Sequence, residues 1–412
     1  MLKLNQLSKE VFDASNVNNV AVKVNNTEIS RKDIVATGRL VACEYVGQLI
    51  NKAKIGESYE TRLNGIEYAD LAKKHLEKKM LFCAAQANKL SGKEAPATFE
   101  EVKRNGAYAK DAMFLRVMAE IDRDVLDPIF FAVIDSVGMG LMQLEGAQLG
   151  ATTQIDIRSN DVFLFEDSAC GSGRSTTKNY LYAKTVTITP TVYACNATLK
   201  WYQDVVNGDA GRYYAAIING MYNKIYAKLM KVLKNATTGN AYIPAGLTAN
   251  TYTTANLITL TDLVAAANGV RVGDLMAIGN RMALSALLPV DGLGGAITGL
   301  QYGLGEEWFK NGFLAKAAGI DLFPVSPVIV PTTQNSTLDT IDTGTSIYFV
   351  PKAGYGYAPI RGVYAEGSPI TLTATPSETA DFTIDINVGA MFEIAPLFAS
   401  KVGVMTNVYS VG

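Results

Sequence analysis

The sequence predicts an α+β fold, in which a charged helical front part is joined to a strand-rich remainder. Three observations predict this class. Residues 1–143 hold 39 charged side chains, whereas the 269 residues that follow hold only 37. Residues 209–235 carry apolar side chains at spacings of four and three, which is typical of one long amphipathic helix. Residues 151–200 and 368–412 contain runs in which polar and apolar side chains alternate, as they do in strands.

The overall composition is that of a folded globular protein. Of the 412 residues, 48% are hydrophobic and 18% are charged, which excludes intrinsic disorder and allows two or three domains. The 37 basic and 39 acidic side chains nearly cancel, so the net charge does not indicate a nucleic acid or an acidic membrane surface as partner. The low charge density after residue 143 predicts a surface that neighbouring subunits cover.

Residues that commonly carry out catalysis are scarce. His75 is the only histidine in the sequence. A multi-histidine metal site is therefore excluded, and a Ser-His-Asp triad would have to use His75 itself. Cys43, Cys83, Cys170 and Cys195 include no CxxC spacing, so we expect free thiols packed as small apolar groups. We therefore predict no enzyme activity, and no catalytic, cofactor-binding or metal-binding residues.

The sequence predicts no targeting or membrane segment. The N-terminal stretch lacks the apolar region of a signal peptide, and no run of about 20 uncharged apolar residues occurs. We expect a soluble protein that is kept in a reducing compartment and has no contact with a membrane.

The front part predicts an arm followed by helices. Residues 1–30 are weakly patterned and indicate an extended or partly helical arm. Apolar spacing predicts a helix over 33–53 and a stronger one over 64–90, with Asn64 as its cap. The lysines of this second helix, together with His75, are expected on a solvated face, with nucleic-acid contact as the less favoured alternative. These lysines are Lys73, Lys74, Lys78 and Lys79.

A third helix is predicted from a capping box. In the sequence T-F-E-E, Thr98 occupies the cap position and Glu101 follows three residues later. The apolar spacing continues to about residue 126, where Asp127-Pro128 is expected to break the helix or restart it. A short helix would then end at the glycines of 138–140.

Residues 151–200 predict a long β-hairpin around the turn CGSGRSTT. Arms of roughly 14 residues would each extend about 45 Å. Because an isolated two-stranded hairpin is marginally stable in water, it must lie on its own domain or on a neighbouring chain. Lys178 and Lys184, near the tip, are interpreted as solvated, with an ion pair or an isopeptide bond to a neighbour as the alternative.

The remainder of the chain alternates strands and helices. The amphipathic helix over 209–235 would be about 40 Å long. Short helices are predicted over 260–267 and 280–288. A polar loop is expected over 332–345. Strands are predicted at 275–278, 320–325, 329–330 and 346–350, and as three longer segments within 368–412.

Three further groups of residues are candidates for a chemical role. Gly292, Gly294, Gly295, Gly299, Gly303 and Gly305 lack the spacing of a phosphate-binding loop, so a turning or flexible loop is expected. Two pairs of acidic residues could serve in acid–base catalysis: Glu306 with Glu307, and Asp339 with Asp342. No other catalytic residue type accompanies either pair, so both are interpreted as solvated loop residues. Trp201 and Trp308 are expected to be core or interface anchors.

The order of these elements resembles the major capsid proteins of tailed bacteriophages, which have the Hong Kong 97 fold. Four segments add to the resemblance by their local character: TVTITPTVYACNATLKWYQD, GNRMALSALLPVDG, AGIDLFPVSP and AMFEIAPLFASKVGV. It covers about residues 150–412. The resemblance implies that 154–190 is the E-loop, that 209–235 is the spine helix of the P-domain, and that 240–345 is the A-domain.

The resemblance also implies a domain organisation. The expected parts are a helical N-terminal arm or extension (1–143), the E-loop hairpin with flanking strands (144–200), the P-domain with its spine helix (201–239), the A-domain (240–345), and C-terminal strands that return to the P-domain (346–412). The front part is longer than a minimal arm and could act as a built-in scaffolding segment. Glycines are candidate hinges at its end, namely Gly138, Gly140, Gly146 and Gly150.

The implied function is that of a major capsid protein. Copies of the chain would self-assemble, through the E-loop, the N-terminal arm and the A-domain, into hexamers and pentamers of an icosahedral shell. This shell would form in the bacterial host cytoplasm, become the virion capsid, and enclose double-stranded DNA that it contacts non-specifically. Portal, scaffold and decoration proteins are further expected partners. The alternatives are an encapsulin-type bacterial nanocompartment and, less favoured, a two-domain enzyme.

Overall fold

The computed structural model describes fifteen stretches of the chain: residues 14–25, 27–50, 68–138, 142–148, 152–158, 183–235, 243–287, 311–325, 327–329, 340–341, 344–352, 360–366, 370–377, 382–396 and 400–408. The chain divides into two compact units. Unit 1 consists of residues 1–137, 191–225 and 365–392, and unit 2 consists of residues 138–190, 226–364 and 393–412. Both units combine helices with strands, as the predicted α+β class requires.

Seven α-helices lie in the described part of the chain: α1 (Arg31–Ile50), α2 (Tyr68–Leu90), α3 (Phe99–Arg104), α4 (Ala112–Gly138), α5 (Ala210–Lys234), α6 (Thr254–Asn268) and α7 (Arg281–Ser285). The strands described are β1 (Ala21–Val24), β2 (Thr27–Ser30), β3 (Met142–Ala147), β4 (Thr153–Arg158), β5 (Ala183–Ile188), β6 (Thr191–Lys200), β7 (Thr248–Asn250), β8 (Leu275–Asn280), β9 (Lys316–Ala317), β10 (Ile320–Val325), β11 (Val328–Ile329), β12 (Thr340–Ile341), β13 (Ile347–Pro351), β14 (Ile360–Ala365), β15 (Ile370–Pro376), β16 (Thr383–Pro396) and β17 (Gly403–Thr406).

The long helix α5 confirms the clearest helix prediction. Expected over 209–235, it extends from Ala210 to Lys234. Its unit 1 part buries Tyr214, Ile218, Met221 and Ile225, as the spacing predicts. In unit 2 the buried face of the helix continues through Leu229, as predicted. At its end Leu233 is buried, whereas the apolar spacing predicts burial of Val232, which is only partly buried.

The N-terminal arm contains a β-hairpin that the sequence analysis missed. Strands β1 and β2 pair antiparallel, with Val22 opposite Ile29 and Val24 opposite Thr27. Asn25 turns the chain with a φ of 45°, a conformation that asparagine tolerates better than most residues. The alternation V-K-V before Asn-Asn is the signal from which this hairpin could have been predicted.

The helix predicted from Thr98 is interrupted earlier than expected. The cap itself is confirmed, since the Glu101 N–H donates to Thr98 Oγ1 at 3.4 Å and the Ala97 N–H donates to the Glu101 carboxylate at 2.7 Å. However, α3 ends at Arg104, and a 3-10 turn over Gly106–Lys110 follows. Asp111 then caps α4 by accepting the N–H groups of the second and third residues that follow it, at 2.9 and 3.2 Å.

The predicted break at Asp127-Pro128 is wrong, because α4 continues through Pro128 to Gly138. A proline in a helix leaves the carbonyl four residues earlier without its usual N–H donor, here that of Asp124. The buried Arg39 supplies donors instead: its Nε and Nη2 lie 3.2 and 2.7 Å from the Asp124 carbonyl oxygen. A guanidinium from α1 thus replaces the hydrogen bond that Pro128 removes.

This compensation predicts an energetic coupling between Arg39 and Pro128. Arg39→Met is expected to cost about 1–3 kcal/mol of unfolding free energy, since the carbonyl loses its donors. In a Pro128→Ala background the new N–H can reach the Asp124 carbonyl, so the cost should fall by roughly 1 kcal/mol. Urea unfolding of the four proteins in this double-mutant cycle measures the coupling. Equal costs in both backgrounds would show that Arg39 does not replace the missing bond.

In unit 1 the sheet is antiparallel and is centred on β16. Strand β6 pairs with β16 along its whole length, from Thr383 opposite Lys200 to Phe392 opposite Thr191. Strand β15 pairs with β16 from Ile370 opposite Ala390 to Pro376 opposite Ile384. The second half of the strand-rich segment predicted over 151–200 thus contains two strands, β5 and β6, separated at Thr189-Pro190.

Unit 2 is built on a six-stranded sheet in the order β7-β17-β13-β8-β10-β9. Its central strand β8 pairs parallel with β10 and antiparallel with β13, and all of β8 except Asn280 is buried. Helix α6 packs on the sheet closely enough that a Cβ on Gly403 would lie 2.5 Å from Val264 Cγ2. The chain needs glycine there because α6 and β17 approach each other so closely.

The predicted elements of this region are largely present. Strand β10 has the predicted bounds, and β8 extends two residues further than expected. Helix α6 begins earlier, at Thr254, because Thr253 caps it by accepting the Asn256 N–H at 3.0 Å. Helix α7 is shorter than predicted and ends at Ser285. Within the expected polar loop over 332–345, the described residues Thr340–Ile341 form strand β12.

Candidate functional sites: two exposed surfaces and a buried polar cluster

The first candidate surface is the ribbon formed by β4 and β5 in unit 2. The two strands pair antiparallel from Thr153 opposite Ile188 to Arg158 opposite Ala183. Among the described residues this is a separate two-stranded sheet that pairs with no third strand. At its base, Ile188 is buried and packs with Ala147 and Val363, while Val186 packs partly buried against this cluster. The base of the ribbon is therefore anchored in unit 2 through Ile188.

The second candidate surface is the outer face of α6 in unit 2. The inner face of the helix packs Leu257, Leu260 and Val264 into the core of the six-stranded sheet. The outer face also carries large apolar side chains, since Ile258 and Leu263 are each 47% exposed. Asp262 is the one charged residue of the helix. A helix that is apolar on both faces is typical of a helix that becomes buried on both sides.

The third candidate is a buried polar cluster in unit 1, formed by His75, Lys79, Asp122 and Tyr214. Lys79 Nζ lies 2.5 Å from Asp122 Oδ1, and the Tyr214 hydroxyl donates to the same oxygen at 2.6 Å. Lys79 Nζ is also 3.4 Å from the Tyr214 hydroxyl oxygen, and His75 Nε2 is 3.3 Å from it. Helices α2, α4 and α5 each contribute to this cluster, so it fixes their relative positions within the unit.

The sequence prediction for His75 and Lys79 is wrong. Both were expected on a solvated helix face, but His75 is fully buried and Lys79 is 5% exposed. The physical reason is that the buried face of α2 includes Ala72, His75, Lys79 and Cys83 at helical spacing, so the two polar residues share that face with small ones. Lys73, Lys74 and Lys78 do lie on the exposed side, as predicted.

Burial governs the electrostatics of the cluster. Desolvation, followed by the Lys79 charge, lowers the pKa of His75 to about 3, and a backbone hydrogen bond at Ile34 opposes this shift. The ring is therefore neutral at neutral pH. Burial and the adjacent Asp122 raise the pKa of Tyr214 well above its usual value, so its hydroxyl stays protonated. Burial likewise raises the pKa of the Cys83 thiol to about 12.

Gly38 of α1 lies against the cluster. Its replacement by alanine is expected to lower stability, although the same replacement usually stabilises a helix. A Cβ there would lie 2.7 Å from Val125 Cγ2 and 2.8 Å from His75 Cε1. Gly38→Ala should therefore destabilise unit 1 by about 1–3 kcal/mol, although alanine is the better helix former. The matched control is Gly220→Ala in α5, where no atom lies within 4 Å. That substitution should stabilise by roughly 0.5–1 kcal/mol.

Chemical denaturation of both glycine variants measures these opposite effects. Stabilisation by both substitutions would show that α1 can move away from His75 and Val125 at little cost.

The other candidate residues are placed as follows. Trp201 is fully buried, which confirms its expected anchor role. Cys43 and Cys83 are buried free thiols, as predicted, whereas Cys195 is exposed, so the prediction of a packed thiol is wrong at that position. For Lys184 only the backbone, within β5, is described. The remaining candidates lie outside the described residues, namely Cys170, Lys178, the glycines of 292–305, Glu306, Glu307, Trp308, Asp339 and Asp342.

Within the described stretches, no three His, Cys, Asp or Glu side chains are grouped closely enough to hold a metal ion. In the same part of the chain, no helix has the length and apolar character that crossing a membrane requires.

Comparison with known proteins finds a similar α+β fold among solved structures. Neither the known family profiles nor the curated proteins include a match. The solved structures that it matches include phage capsids and an encapsulin.

Three solved structures illustrate the similarity, each with 11% sequence identity. The mature capsid of bacteriophage PhiM1 matches with a TM-score of 0.42, over 65% of this chain and 85% of that chain. The capsid of a native GTA particle matches with a TM-score of 0.44, over 66% and 90%. The SrpI encapsulin of Synechococcus elongatus matches with a TM-score of 0.38, over 66% and 87%.

Proposed function

We propose that this chain is the major capsid protein of a tailed phage. Many copies would assemble into hexamers and pentamers of an icosahedral shell around double-stranded DNA. The observation that carries the proposal is the ribbon β4–β5, which among the described residues pairs with no third strand. A two-stranded sheet gains too little from its own contacts to be stable alone, so a neighbouring copy is the natural surface for it to lie on.

The parts of the chain have separate roles in this proposal. Residues 144–200 form the E-loop hairpin, residues 201–239 the P-domain with its spine helix, and residues 240–345 the A-domain. Within residues 346–412, β15 and β16 would return towards the P-domain, whereas β13 and β17 lie in the same sheet as β8 of the A-domain. Residues 1–143 form a helical extension that contacts neighbours. Contacts of one surface with a different surface on the next copy close into rings, and rings tile a shell.

The charge of the chain suits a shell wall that contacts DNA without sequence specificity. Phosphate contacts from lysine and arginine dominate affinity for DNA, and here 37 basic side chains are balanced by 39 acidic ones. The proposal includes assembly in the host cytoplasm and contacts with portal, scaffold and decoration proteins. It assigns the chain no enzymatic role.

The outer face of α6 supplies a point at which assembly can be tested. We expect Ile258→Glu with Leu263→Glu to abolish rings and shells, because it places two charges in an interface that must exclude water. Both side chains are already 47% exposed, so the isolated fold should tolerate the change. Size-exclusion chromatography with light scattering measures the assembly state, and circular dichroism measures the fold.

The matched control retains apolar side chains at the same positions. Ile258→Leu with Leu263→Met should leave assembly intact, because volume and hydrophobicity are nearly conserved. Unchanged assembly of the glutamate variant would exclude this face of α6 from the shell contacts. Loss of helical signal in that variant would instead show that the face is needed for folding.

A further inference from the structure

We propose that Lys79 and Asp122 of the same chain condense into an isopeptide bond, which covalently joins α2 to α4 inside unit 1. The bond would close a loop between residues 43 positions apart. It differs from the contact considered for Lys178 and Lys184, because it is buried and lies within one chain.

The geometry places the two reacting groups in contact. Lys79 Nζ is 2.5 Å from Asp122 Oδ1, and the two side chains are 6% and 1% exposed. Groups held in this way react as neighbours within one molecule, for which effective concentrations are very high. The ammonium group is also held near the Tyr214 ring, with Nζ 5.4 Å from the ring centroid. The amine therefore has little freedom to leave the carboxyl group.

The two carboxyl oxygens of Asp122 have different surroundings. Oδ1 accepts a hydrogen bond from the Tyr214 hydroxyl at 2.6 Å. The buried Oδ2 has no hydrogen-bond partner among the described residues. A hydroxyl donor stabilises the negative charge that develops on a carbonyl oxygen when an amine attacks. Oδ1 is thus suited to become the amide oxygen, and the unpartnered Oδ2 is suited to leave.

The step balances without any added reagent. The ammonium group of Lys79 transfers one proton to the Asp122 carboxylate, and the neutral amine then attacks Cγ. A bond forms between Nζ and Cγ, the bond between Cγ and Oδ2 breaks, and Oδ2 leaves as water with the two protons lost by nitrogen. Two buried charges are replaced by one neutral amide, which removes the cost of keeping an ion pair out of water.

The neutral state of the neighbouring ring favours the same step. His75 Nε2 lies 3.3 Å from the Tyr214 hydroxyl oxygen, and the ring carries no charge at neutral pH. A charged ring there would compete with the lysine for the carboxylate. Tyr214 stays protonated for the reason given above, so its donor is present throughout the neutral range.

The test is mass spectrometry of the purified full-length chain, denatured before measurement. The proposal expects a mass lower than that of the polypeptide by one water molecule, and a tryptic map with a branched peptide that joins residue 79 to residue 122. Lys79→Arg and Asp122→Ala should each restore the unmodified mass. Asp122→Asn should still react but lose one ammonia molecule instead of water. Tyr214→Phe should slow the reaction by about 100-fold or more, since a charge-stabilising donor is lost.

Two results would overturn the proposal. One is the full polypeptide mass with separate, unbranched peptides containing residues 79 and 122 after prolonged incubation at neutral pH. The other is loss of water without a branched peptide, since a cyclic imide at Asp122 would explain that mass. Both readouts use the wild-type protein, so they do not depend on whether the variants fold or whether the chain forms shells.

Discussion

Truncation of Trp201 to alanine is expected to cost about 3–5 kcal/mol of unfolding free energy. Trp201 is among the largest fully buried side chains described, and its ring lies edge-on to Phe114 at a centroid distance of 5.6 Å. Its backbone N–H also donates to the Phe382 carbonyl at 3.0 Å. Alanine would leave a large cavity between α4 and the start of the π-helical turn Trp201–Val206.

The adjacent residue provides the control for this prediction. Tyr202 is 43% exposed, so Tyr202→Ala should cost no more than about 1 kcal/mol. Trp201→Phe should cost less than the alanine variant, because it fills most of the volume and removes an indole N–H that is buried without a partner in the described structure. Urea unfolding compares the three variants. Similar costs at positions 201 and 202 would contradict the assigned core.

Acidification should destabilise unit 1 through His75. Its pKa is about 3 in the folded chain and 6.5 when exposed, so below about pH 6.5 the unfolded chain binds a proton that the folded chain does not. Stability from this group is fully present above that pH and falls by about 1.4 kcal/mol per pH unit, towards a total of about 4–5 kcal/mol near pH 3.

Asp127 acts in the opposite direction over part of this range. Burial raises its pKa to about 6, so the folded chain binds that proton more readily than the unfolded chain. The His75 contribution is therefore isolated by comparison with a variant. Unfolding free energies of the wild type and of His75→Gln, measured from pH 7 to pH 4, should converge as the pH falls. A constant difference between them would show that His75 does not titrate on unfolding.

Prediction from sequence worked best where a single element determines the pattern. The helix over 209–235 repeats its apolar spacing over many turns, so its bounds were predicted to within one residue. Strand β10 was similarly well defined by β-branched and apolar residues between breakers. Such segments bury their faces whatever their partners are, which is why local periodicity is sufficient.

Prediction failed where residues distant in the sequence determine the outcome. Pro128 is tolerated within α4 because Arg39, which lies 85 residues before Asp124, donates to the Asp124 carbonyl. His75 and Lys79 are buried because Asp122 and Tyr214 lie opposite them in the fold. A hydrophobicity pattern detects the buried Leu71, Met80 and Ala84 of α2, but it does not assign these two polar residues to the buried face. The small residues Ala72 and Cys83, spaced along the same face, are the signal that could have indicated it.

The candidate surfaces were predictable only in part. The ribbon was expected from its strand pattern, and β4–β5 pairing confirms it over the six described residues of each strand. The apolar outer face of α6 was not predicted, because the predicted helix begins six residues later than the observed one and leaves out Ile258. That Ile258 and Leu263 are exposed can be inferred only once it is known which face of the helix packs on the sheet.

Electron microscopy of the purified full-length chain tests the central claim most directly. The shell proposal predicts closed particles, or rings with five and six subunits, at high protein concentration or after addition of a scaffold protein or crowding agent. Nuclease-protected DNA inside particles from an infected host would distinguish a capsid from a cargo compartment. A chain that stays a monodisperse monomer or dimer under all of these conditions would contradict the account.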